Sequence, residues 1–423
     1  MRTAEIYVFT RLAGTLTEND DGRFVFLYDA SYLREPPAIA ISSTMPLRRE
    51  AYVSNALFPF FDGLIPEGWL LDIAEKNWKL DSRDRMGLLL ACCSSAIGAV
   101  SVRHSGVAPA PGAVEDLAES PRLDGKTAFD FPYTDDEINE MARRLVASRI
   151  SVSGVQPKLS VHLERGTGEC PRITIVGFEG NYILKLPTKG YPELIESEYA
   201  AMSLARKCGI RTAEFGLATL SGGRRAYVTR RMDRTPRMKH MEDFCQLTER
   251  MTERKYYGSY EQIAKKIRLY SSAGGADAIR FFEIVLFSFL TGNSDMHLKN
   301  FSLLREDDGA WRLAGAYDLL PVKLIMPDDT EDMALTLNGR KARIDGGDFR
   351  AFAKTIGLNE RQTAHAFSRI ADSLAAHLDD VLVQSPLTDE FATKFKHLAH
   401  SNLNRISSRV GASAPPSPPT LFA

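Results

Sequence analysis

A helix that is apolar on every side, followed directly by a short polar segment, most constrains how this chain can fold. Residues 281–289 read Phe-Phe-Glu-Ile-Val-Leu-Phe-Ser-Phe, a pattern typical of a buried helix. Gly292 and Asn293 favour the end of that helix, because both residue types tolerate left-handed backbone geometry. Residues 295–302 then read Asp-Met-His-Leu-Lys-Asn-Phe-Ser. The sequence therefore predicts a polar turn at the end of a buried helix.

The spacing of Asp295 and Asn300 is that of a phosphotransferase catalytic loop. In such loops the carboxylate accepts or orients the proton of the attacking hydroxyl, and the carboxamide oxygen holds a magnesium ion on the phosphates. Asp318, in the apolar stretch 313–321, is the natural second magnesium ligand. Each residue alone is equally well explained as a turn residue or a strand cap. The three residues in this order favour a catalytic role.

Length and charge place the chain among ordinary multi-lobed globular proteins. Its 423 residues exceed a single core and predict two or three lobes. With 53 basic and 54 acidic side chains, no overall attraction to nucleic acid or anionic membranes follows. The first residues do not resemble a signal peptide, and the longest weakly polar run, residues 86–100, is too short to span a bilayer. We therefore expect a cytoplasmic protein without a membrane partner.

The five cysteines predict neither a disulfide framework nor a zinc site. Cys92, Cys93, Cys170, Cys208 and Cys245 form no Cys-x-x-Cys pair and have no histidine at ligand spacing. We expect buried free thiols, which suit a reducing compartment.

Composition shifts and helix and strand patterns divide the chain into five predicted regions. The N-terminal module has strands near 6–9 and 23–28 and helical patterns at 70–78 and 81–93. It contains no nucleophile, phosphate loop or metal cluster, so we expect a lid, a docking surface or a regulator. The predicted regions are an N-terminal module at 1–104, a linker at 105–132, a strand-rich lobe at 133–234, a mainly helical lobe at 235–410 and a proline-rich disordered tail at 411–423.

A turn-rich loop and a lysine in an apolar strand form the second candidate site. Residues 151–158 read Ser-Val-Ser-Gly-Val-Gln-Pro-Lys, and such a loop can lay backbone N–H groups around phosphate oxygens. By itself it is better explained as a plain hairpin loop. Lys185 lies in an apolar strand and could meet Glu198 in the helical pattern 193–208, as a kinase lysine meets its glutamate. An edge-strand lysine and a solvated glutamate remain alternatives.

A local basic cluster follows around the next hairpin. It could face phosphate, DNA or an acidic partner, but a solvated basic edge explains it equally well. The cluster consists of Arg224, Arg225, Arg230, Arg231, Arg234 and Arg237.

Three segments together resemble the HipA family of bacterial toxin-type serine/threonine kinases. They are residues 151–158, residues 293–302 and the pair Tyr317-Asp318, and the N-terminal residues 63–69, Gly-Leu-Ile-Pro-Glu-Gly-Trp, also look like that family. The resemblance implies an α+β, two-lobed protein-kinase-like fold with an extra N-terminal α/β subdomain and a mainly helical C-lobe. It also implies ATP and Mg²⁺ as cofactors.

The resemblance further implies a role for each matching residue. Asp295 would be the catalytic base, Asn300 and Asp318 would bind magnesium, and Glu198 would form the structural ion pair with Lys185. The implied ATP-binding residues are Ser153, Gly154, Val155, Gln156, Pro157, Lys158, Lys185, Arg230, Arg231, Met232, His297, Leu298, Lys299, Asn300, Tyr317 and Asp318. Of these, Arg230 to Met232 would be the hinge beside adenine.

Regulation and partners are also implied by the resemblance. Family members are silenced by autophosphorylation in the phosphate loop, where Ser151 and Ser153 are both candidates. A phosphoserine there would place negative charge where ATP phosphates bind. Characterised toxins of the family inactivate aminoacyl-tRNA synthetases and are restrained by a helix-turn-helix, HipB-like antitoxin that binds operator DNA.

Two other functions remain open from the residues. One is a non-catalytic regulator that binds an antitoxin and operator DNA through the basic hairpin. The other is a kinase that phosphorylates the hydroxyl of a small molecule. Substituting Asp295 distinguishes the first from a protein kinase, and a screen of acceptors distinguishes the second.

Overall fold

Three sheets and a set of helices make up the described part of the chain. The computed structural model describes residues 1–67, 81–94, 96–107, 122–123, 128–131, 134, 137, 158–164, 172–175, 180–188, 190–235 and 237–407. The fold is α+β and two-lobed like a protein kinase, with an additional N-terminal domain.

The N-terminal domain is an antiparallel sheet with short helices. The strand order is β4-β3-β2-β1-β5. The predicted strands near 6–9 and 23–28 are present, but the strand β2 between them was missed. The elements are β1 Arg2–Val8, β2 Arg11–Glu18, β3 Phe24–Tyr28, α1 Ala30–Arg34, β4 Tyr52–Ser54, α2 Pro59–Asp62, α3 Arg85–Cys92 and β5 Val100–His104. The predicted helix at 70–78 lies outside the described residues.

Six strands form a closed barrel in the order β10-β11-β9-β7-β8-β6. They are β6 Ala128–Phe131, β7 Lys158–Glu164, β8 Arg172–Ile175, β9 Tyr182–Lys185, β10 Phe215–Leu220 and β11 Arg225–Arg230. The helix α4, Leu194–Lys207, packs against β11 and ends before Gly209, which has the left-handed φ of 73° that was expected of a helix exit.

The predicted linker boundary at residue 132 is wrong. The strand β6 pairs in parallel with β10 and β8, so the barrel already includes residues that the composition assigned to the linker. Alternating apolar residues in so short a segment gave too weak a signal against the surrounding prolines and glycines. The phosphate-loop candidates at 151–157 and the predicted tail at 411–423 lie outside the described residues.

The C-terminal lobe is mainly helical, as predicted, around the central helix α7. That helix is buried along most of its length and packs against α6, α10 and α11. The elements are β12 Met241–Asp243, α5 Phe244–Leu247, α6 Tyr260–Tyr270, α7 Gly274–Leu290, β13 Ser302–Arg305, β14 Trp311–Leu313, α8 Val322–Ile325, α9 Gly346–Thr355, α10 Glu360–Gln384 and α11 Asp389–Ser407. The strands β12, β13 and β14 form a small antiparallel sheet beside the helices.

Buried polar contacts fasten the N-terminal domain to the rest of the chain. The Asp233 carboxylate accepts hydrogen bonds from the guanidinium groups of Arg231 and Arg234 and from the backbone N–H of Gly98. Gly98 has a φ of 83°, and a Cβ there would lie 2.8 Å from the Met241 carbonyl oxygen. Only glycine therefore fits this close approach between the two parts of the chain.

These contacts correct the interpretation of the arginine cluster as one basic surface. Arg230, Arg231 and Arg234 are buried, and each forms an ion pair with a carboxylate inside the protein. Asp233 lies beside Arg231 and Arg234 in the sequence, whereas Glu214, the partner of Arg230, and the carbonyl oxygen of Ala96 reach the arginines through tertiary packing. The exposed members of the cluster are Arg224, Arg225 and Arg237.

Two further expectations concern the environment of the chain. Cys92, Cys93, Cys208 and Cys245 are buried free thiols, as predicted, and Cys170 lies outside the described residues. Of the helices that the structure describes, none has the length and apolarity needed to cross a membrane.

Candidate active site

A cleft of about 600 Å³ lies where the barrel, the helical lobe and the N-terminal domain meet. The predicted site residues that line it are Lys185, Glu198, Arg230, Arg231, Met232, Asp295, His297, Lys299, Asn300, Tyr317 and Asp318. Lys158 opens β7, and its backbone is paired in register with Lys185. Leu298 does not line the cleft, because its side chain is fully buried in the hydrophobic core of the helical lobe.

Lys185 lies at the centre of the charges in this cleft. Its Nζ atom is 2.6 Å from Oε1 of Glu198 and 2.5 Å from Oδ1 of Asp318. Burial alone would lower the pKa of Lys185, but the two carboxylates raise it above its ordinary value. The lysine is therefore protonated at neutral pH. Glu198 is 1% exposed, so α4 presents it to the cleft rather than to solvent.

Asp318 is held in an unusual backbone conformation beside two asparagines. Its φ is 61°, a left-handed value that is uncommon for a residue other than glycine and often occurs at functional sites. The Asn293 side-chain amide donates to its carbonyl oxygen at 3.2 Å, and Nδ2 of Asn300 lies 3.4 Å from Oδ2. These contacts orient the carboxylate towards Lys185 and Asn300.

The donors around Asp318 fit a magnesium ion. A carboxylate and a carboxamide oxygen are hard ligands of the kind that Mg²⁺ prefers, and rotation of the Asn300 amide would exchange its nitrogen for its oxygen. Within the described residues, no group of three or more His, Cys, Asp or Glu side chains forms a metal site. A cation held by Asn300 and Asp318 would therefore complete its shell with water and phosphate oxygens.

Asp295 has the environment of a general base. Its Oδ1 atom accepts a hydrogen bond of 2.7 Å from the hydroxyl of Tyr256. Burial raises the pKa of Asp295 to about 6, while the hydrogen bond from Tyr256 opposes that rise and the nearby Asp318 adds to it. A carboxylate whose pKa lies near neutrality can accept a proton and release it again.

His297, two residues after Asp295, is buried, and Tyr317, the residue before Asp318, is partly buried. Burial lowers the pKa of His297 to about 3, and the neighbouring Lys255 cation acts in the same direction, so the imidazole is neutral. The Tyr317 hydroxyl is 2.6 Å from the Ser302 hydroxyl and donates to the carbonyl oxygen of Lys299 at 2.9 Å. The two rings therefore form part of the wall of the cleft.

Lys299 points towards the N-terminal domain. Its ammonium donates to the carbonyl oxygen of Gly63 at 3.1 Å and pairs with Asp243 at 3.1 Å and Glu67 at 3.4 Å. Burial alone would lower the pKa of Lys299, but Asp243 and Glu67 raise it. Glu67 also pairs with Lys255 at 2.6 Å. The N-terminal domain thus contributes a carboxylate to the cleft.

Sequence reasoning missed Glu67, Asp243, Lys255 and Tyr256. Residues 63–69 were noticed as a motif, but no role followed from it, because Glu67 contacts residues 188 or more positions away. Tyr256 lies in a turn without a periodic pattern and gave no signal of its own.

The predicted hinge residues are held by backbone pairing. The backbone N–H of Arg230 donates to the carbonyl oxygen of Glu214 at 2.8 Å. The backbone N–H of Arg231 donates to the carbonyl oxygen of Asn181 at 2.8 Å. The Arg231 guanidinium is engaged by Asp233 and by the carbonyl oxygen of Ala96. Any role beside adenine would therefore fall to the backbone of this segment and to Met232, which lines the cleft.

Comparison with known protein families shows which family the chain belongs to. The profile of the HipA-like C-terminal domain matches residues 150–378, and that of the HipA N-terminal domain matches residues 4–103. The chain belongs to the HipA family. The two HipA profiles cover the cleft and the N-terminal domain that supplies Glu67. The resemblance inferred from residues 151–158, 293–302 and 317–318 is thus confirmed.

Two named relatives align with most of this chain. A Sinorhizobium fredii protein named "Putative kinase Y4dM" is 29% identical over 380 residues, which is 84% of this chain and 86% of that protein. The Shewanella oneidensis protein named serine/threonine-protein kinase toxin HipA is 24% identical over 387 residues, 84% of each.

A solved structure shares the fold. It is the Shewanella oneidensis complex of HipA, HipB and operator DNA, with a TM-score of 0.74 and 19% identity, covering 96% of this chain and 97% of that chain. At this identity the likeness shows that both chains have the HipA fold, and the chemistry must be argued from the residues.

Proposed function

We propose that this HipA-family protein is an ATP- and magnesium-dependent kinase that phosphorylates serine or threonine hydroxyls of proteins. The observation that carries the proposal is the convergence of Glu198 and Asp318 on the ammonium of Lys185, in the cleft that Asp295 also lines. This arrangement suits phosphoryl transfer, in which catalysis consists of positioning and charge stabilisation.

Each group has a part in that chemistry. Lys185, oriented by Glu198, would bind phosphate oxygens, and Asn300 and Asp318 would hold a magnesium ion that neutralises charge on the phosphates. Asp295 accepts the proton of the acceptor hydroxyl. The segment Arg230 to Met232 would border the base, and the loop of residues Ser153 to Lys158 is proposed to bind the phosphates. These assignments place the triphosphate between the barrel and residues 295–300.

Incubation with labelled ATP and magnesium tests this activity. We expect the protein to label itself or an added protein, and both Asp295→Asn and Asp318→Asn to reduce labelling by about a hundredfold or more. Asp372→Asn, an exposed position on α10, is the matched control and should label normally. Absence of ATP binding and of labelling by the native protein would contradict the proposal. If labelling appears only with small hydroxyl compounds, the acceptor is a metabolite.

We also propose that the kinase is the toxin of a toxin–antitoxin pair. The family membership supports this, and the named relatives include a toxin. Its partner would be a HipB-like helix-turn-helix antitoxin and, through it, operator DNA; an aminoacyl-tRNA synthetase is the first candidate for the protein substrate. Autophosphorylation of Ser151 or Ser153 would silence it.

Phosphoproteomics after induction tests the toxin role. The native protein should arrest growth and add phosphate to a small set of proteins, whereas Asp295→Asn should do neither. Co-expression of the neighbouring gene's product should relieve the arrest if that product is the antitoxin. Growth arrest that persists in Asp295→Asn would instead favour a non-catalytic regulator. The burial of Arg230 and Arg231 gives no support to DNA binding through those side chains.

A further inference from the structure

Residues 252–257 lie between the N-terminal domain and the candidate catalytic loop. On one side, the backbone N–H of Thr252 donates to Oδ2 of Asp62 at 2.7 Å, and Lys255 pairs with Glu67 at 2.6 Å. On the other side, the carbonyl oxygen of Lys255 accepts from the N–H of Leu298 at 3.2 Å. This segment, here named the 252–257 bridge, therefore contacts both regions directly.

The charges in the bridge are desolvated, so their pairing fixes geometry. The side chains of Lys255 and Glu67 are 13% and 12% exposed. Glu67 also faces Lys299, so one carboxylate balances two cations on either side of the catalytic loop. Removing it would take from Lys255 its carboxylate partner, whereas Lys299 would keep Asp243 at 3.1 Å. The position of Lys255 thus depends on the N-terminal domain.

Tyr256 follows Lys255 and reaches the candidate base. Its hydroxyl donates to Oδ1 of Asp295 at 2.7 Å, and its ring meets the His297 ring edge to face at 4.9 Å between centroids. The other oxygen, Oδ2, accepts no hydrogen bond from any residue that the structure describes. A carboxylate held by one oxygen presents the other in a defined direction, which is the orientation that a general base needs.

We propose that Tyr256 is the positioning residue for Asp295, and that Glu67 of the N-terminal domain keeps Tyr256 in place through Lys255. The inference rests on the proposed kinase function and extends it. In the transfer, the acceptor oxygen bonds to the γ-phosphorus as the bond from that phosphorus to the β–γ bridging oxygen breaks. The hydroxyl proton passes to Oδ2 of Asp295, and ADP is the leaving group.

This arrangement assigns a role to the N-terminal domain. Its contacts run through Asp62, through the pair of Glu67 with Lys255 and through the backbone hydrogen bond between Leu298 and Lys255. The N-terminal domain is therefore a structural part of the active site. If the pair of Glu67 with Lys255 is lost, the chemical step should become slower. ATP binding, which depends on Lys185 and Asp318, should be nearly unchanged.

The test compares Tyr256→Phe with Tyr257→Phe in the full chain. Tyr257 is the adjacent tyrosine and is 68% exposed, so its variant is a matched control. We expect Tyr256→Phe to lower kcat by about tenfold, because a misdirected base loses orientation, with the KM for ATP within about twofold of native. Glu67→Gln should likewise lower kcat and leave the KM for ATP nearly unchanged. The kcat of the double variant should be no lower than that of Tyr256→Phe alone.

A second measurement does not depend on kinase activity. Amide hydrogen exchange of residues 293–300 should be faster in Tyr256→Phe and Glu67→Gln than in the native chain, and unchanged in Tyr257→Phe. Normal exchange in both variants, an unchanged kcat, or an equal loss of ATP affinity would overturn the inference. If the native protein transfers no phosphate, the proposed function fails, and the exchange data alone decide whether the bridge holds Asp295.

Discussion

The ammonium of Lys185 lies 2.5 Å from the Asp318 carboxylate, which is also the candidate magnesium ligand. One carboxylate therefore has two potential cationic partners. Because a divalent ion attracts Asp318 more strongly than a single ammonium, magnesium loading should loosen this ion pair while leaving the pair of Lys185 with Glu198 intact. In this cleft, the Asp318 carboxylate can thus exchange one cationic partner, the Lys185 ammonium, for another, the magnesium ion.

Lys185→Met should destabilise the protein and remove ATP binding. The Glu198 carboxylate, with its side chain 2% exposed, would lose its cation, so we expect the free energy of unfolding to fall by about 3 kcal/mol. Chemical denaturation and calorimetric titration with ATP measure the two effects. Lys207→Met, at an exposed position on α4, the helix that carries Glu198, should change neither. Native stability in Lys185→Met would contradict the assigned ion pair.

Asp318→Asn should separate metal binding from nucleotide binding. The pair of Lys185 with Glu198 remains, so ATP without magnesium should bind about as it does to the native protein. The increase in affinity that magnesium brings should be lost, because a neutral amide is a weaker ligand than a carboxylate. Titrations with ATP in the presence and absence of MgCl₂ measure this. A variant that keeps the full magnesium effect would rule out Asp318 as a ligand.

Acid should loosen the contact that Asp233 makes with the N-terminal domain. Burial would raise the pKa of Asp233, but Arg231 and Arg234 lower it to about 2 from an ordinary value of 3.8. A lowered pKa stabilises the fold above pH 3.8, and that contribution, about 2 kcal/mol, is lost as the pH falls from 3.8 to 2. Asp233→Asn should remove this slope. Denaturation midpoints between pH 5 and pH 2 measure it, and a slope in Asp233→Asn equal to that of the native protein would refute it.

Glu242 should give a pH dependence of the opposite sign. Burial raises the pKa of Glu242 to about 7, although hydrogen bonds from Ser42 and Ser43 oppose the rise. The unfolded value is 4.5, so native protein binds the proton more tightly, and stability falls by about 3 kcal/mol as the pH rises from 4.5 to 7.

The variant Glu242→Gln tests this slope at the contact between Ser42 and β12. Relative to native protein it should be more stable at pH 8 than at pH 5, because the glutamine carries no charge to desolvate. Melting temperatures across that range are the measurement. Glu50→Gln, an exposed position in the N-terminal domain, is the control and should follow the native curve. A constant difference between Glu242→Gln and native protein would contradict the expectation.

Local pattern was sufficient for several features of the fold. The apolar run 281–289 predicted the buried helix α7, and Gly292 has the left-handed backbone expected after it. Asp295 and Asn300 are only five residues apart, so a single turn brings them together whatever the rest of the chain does. The ion pair between Lys185 and Glu198 was also anticipated, because a buried strand lysine needs a carboxylate and α4 offers one among apolar residues.

Distant contacts were decided only by the tertiary structure. Periodicity reports which face of a helix or strand is buried, but it carries no information about the partner on the other side. Asp233 is a sequence neighbour of Arg231 and Arg234, but only the fold brought the carbonyl oxygen of Ala96, 135 or more positions away, to both guanidinium groups.

At the site too, the sequence by itself determined some features and the fold added others, because local patterns carry no information about distant partners. Sequence determined the chemical groups: a carboxylate, a carboxamide and a lysine in a kinase-like order. The tertiary structure decided their environment, because burial and neighbouring charges depend on all parts of the chain at once. It alone placed Glu67 against Lys255 and Lys299, and Tyr256 against Asp295.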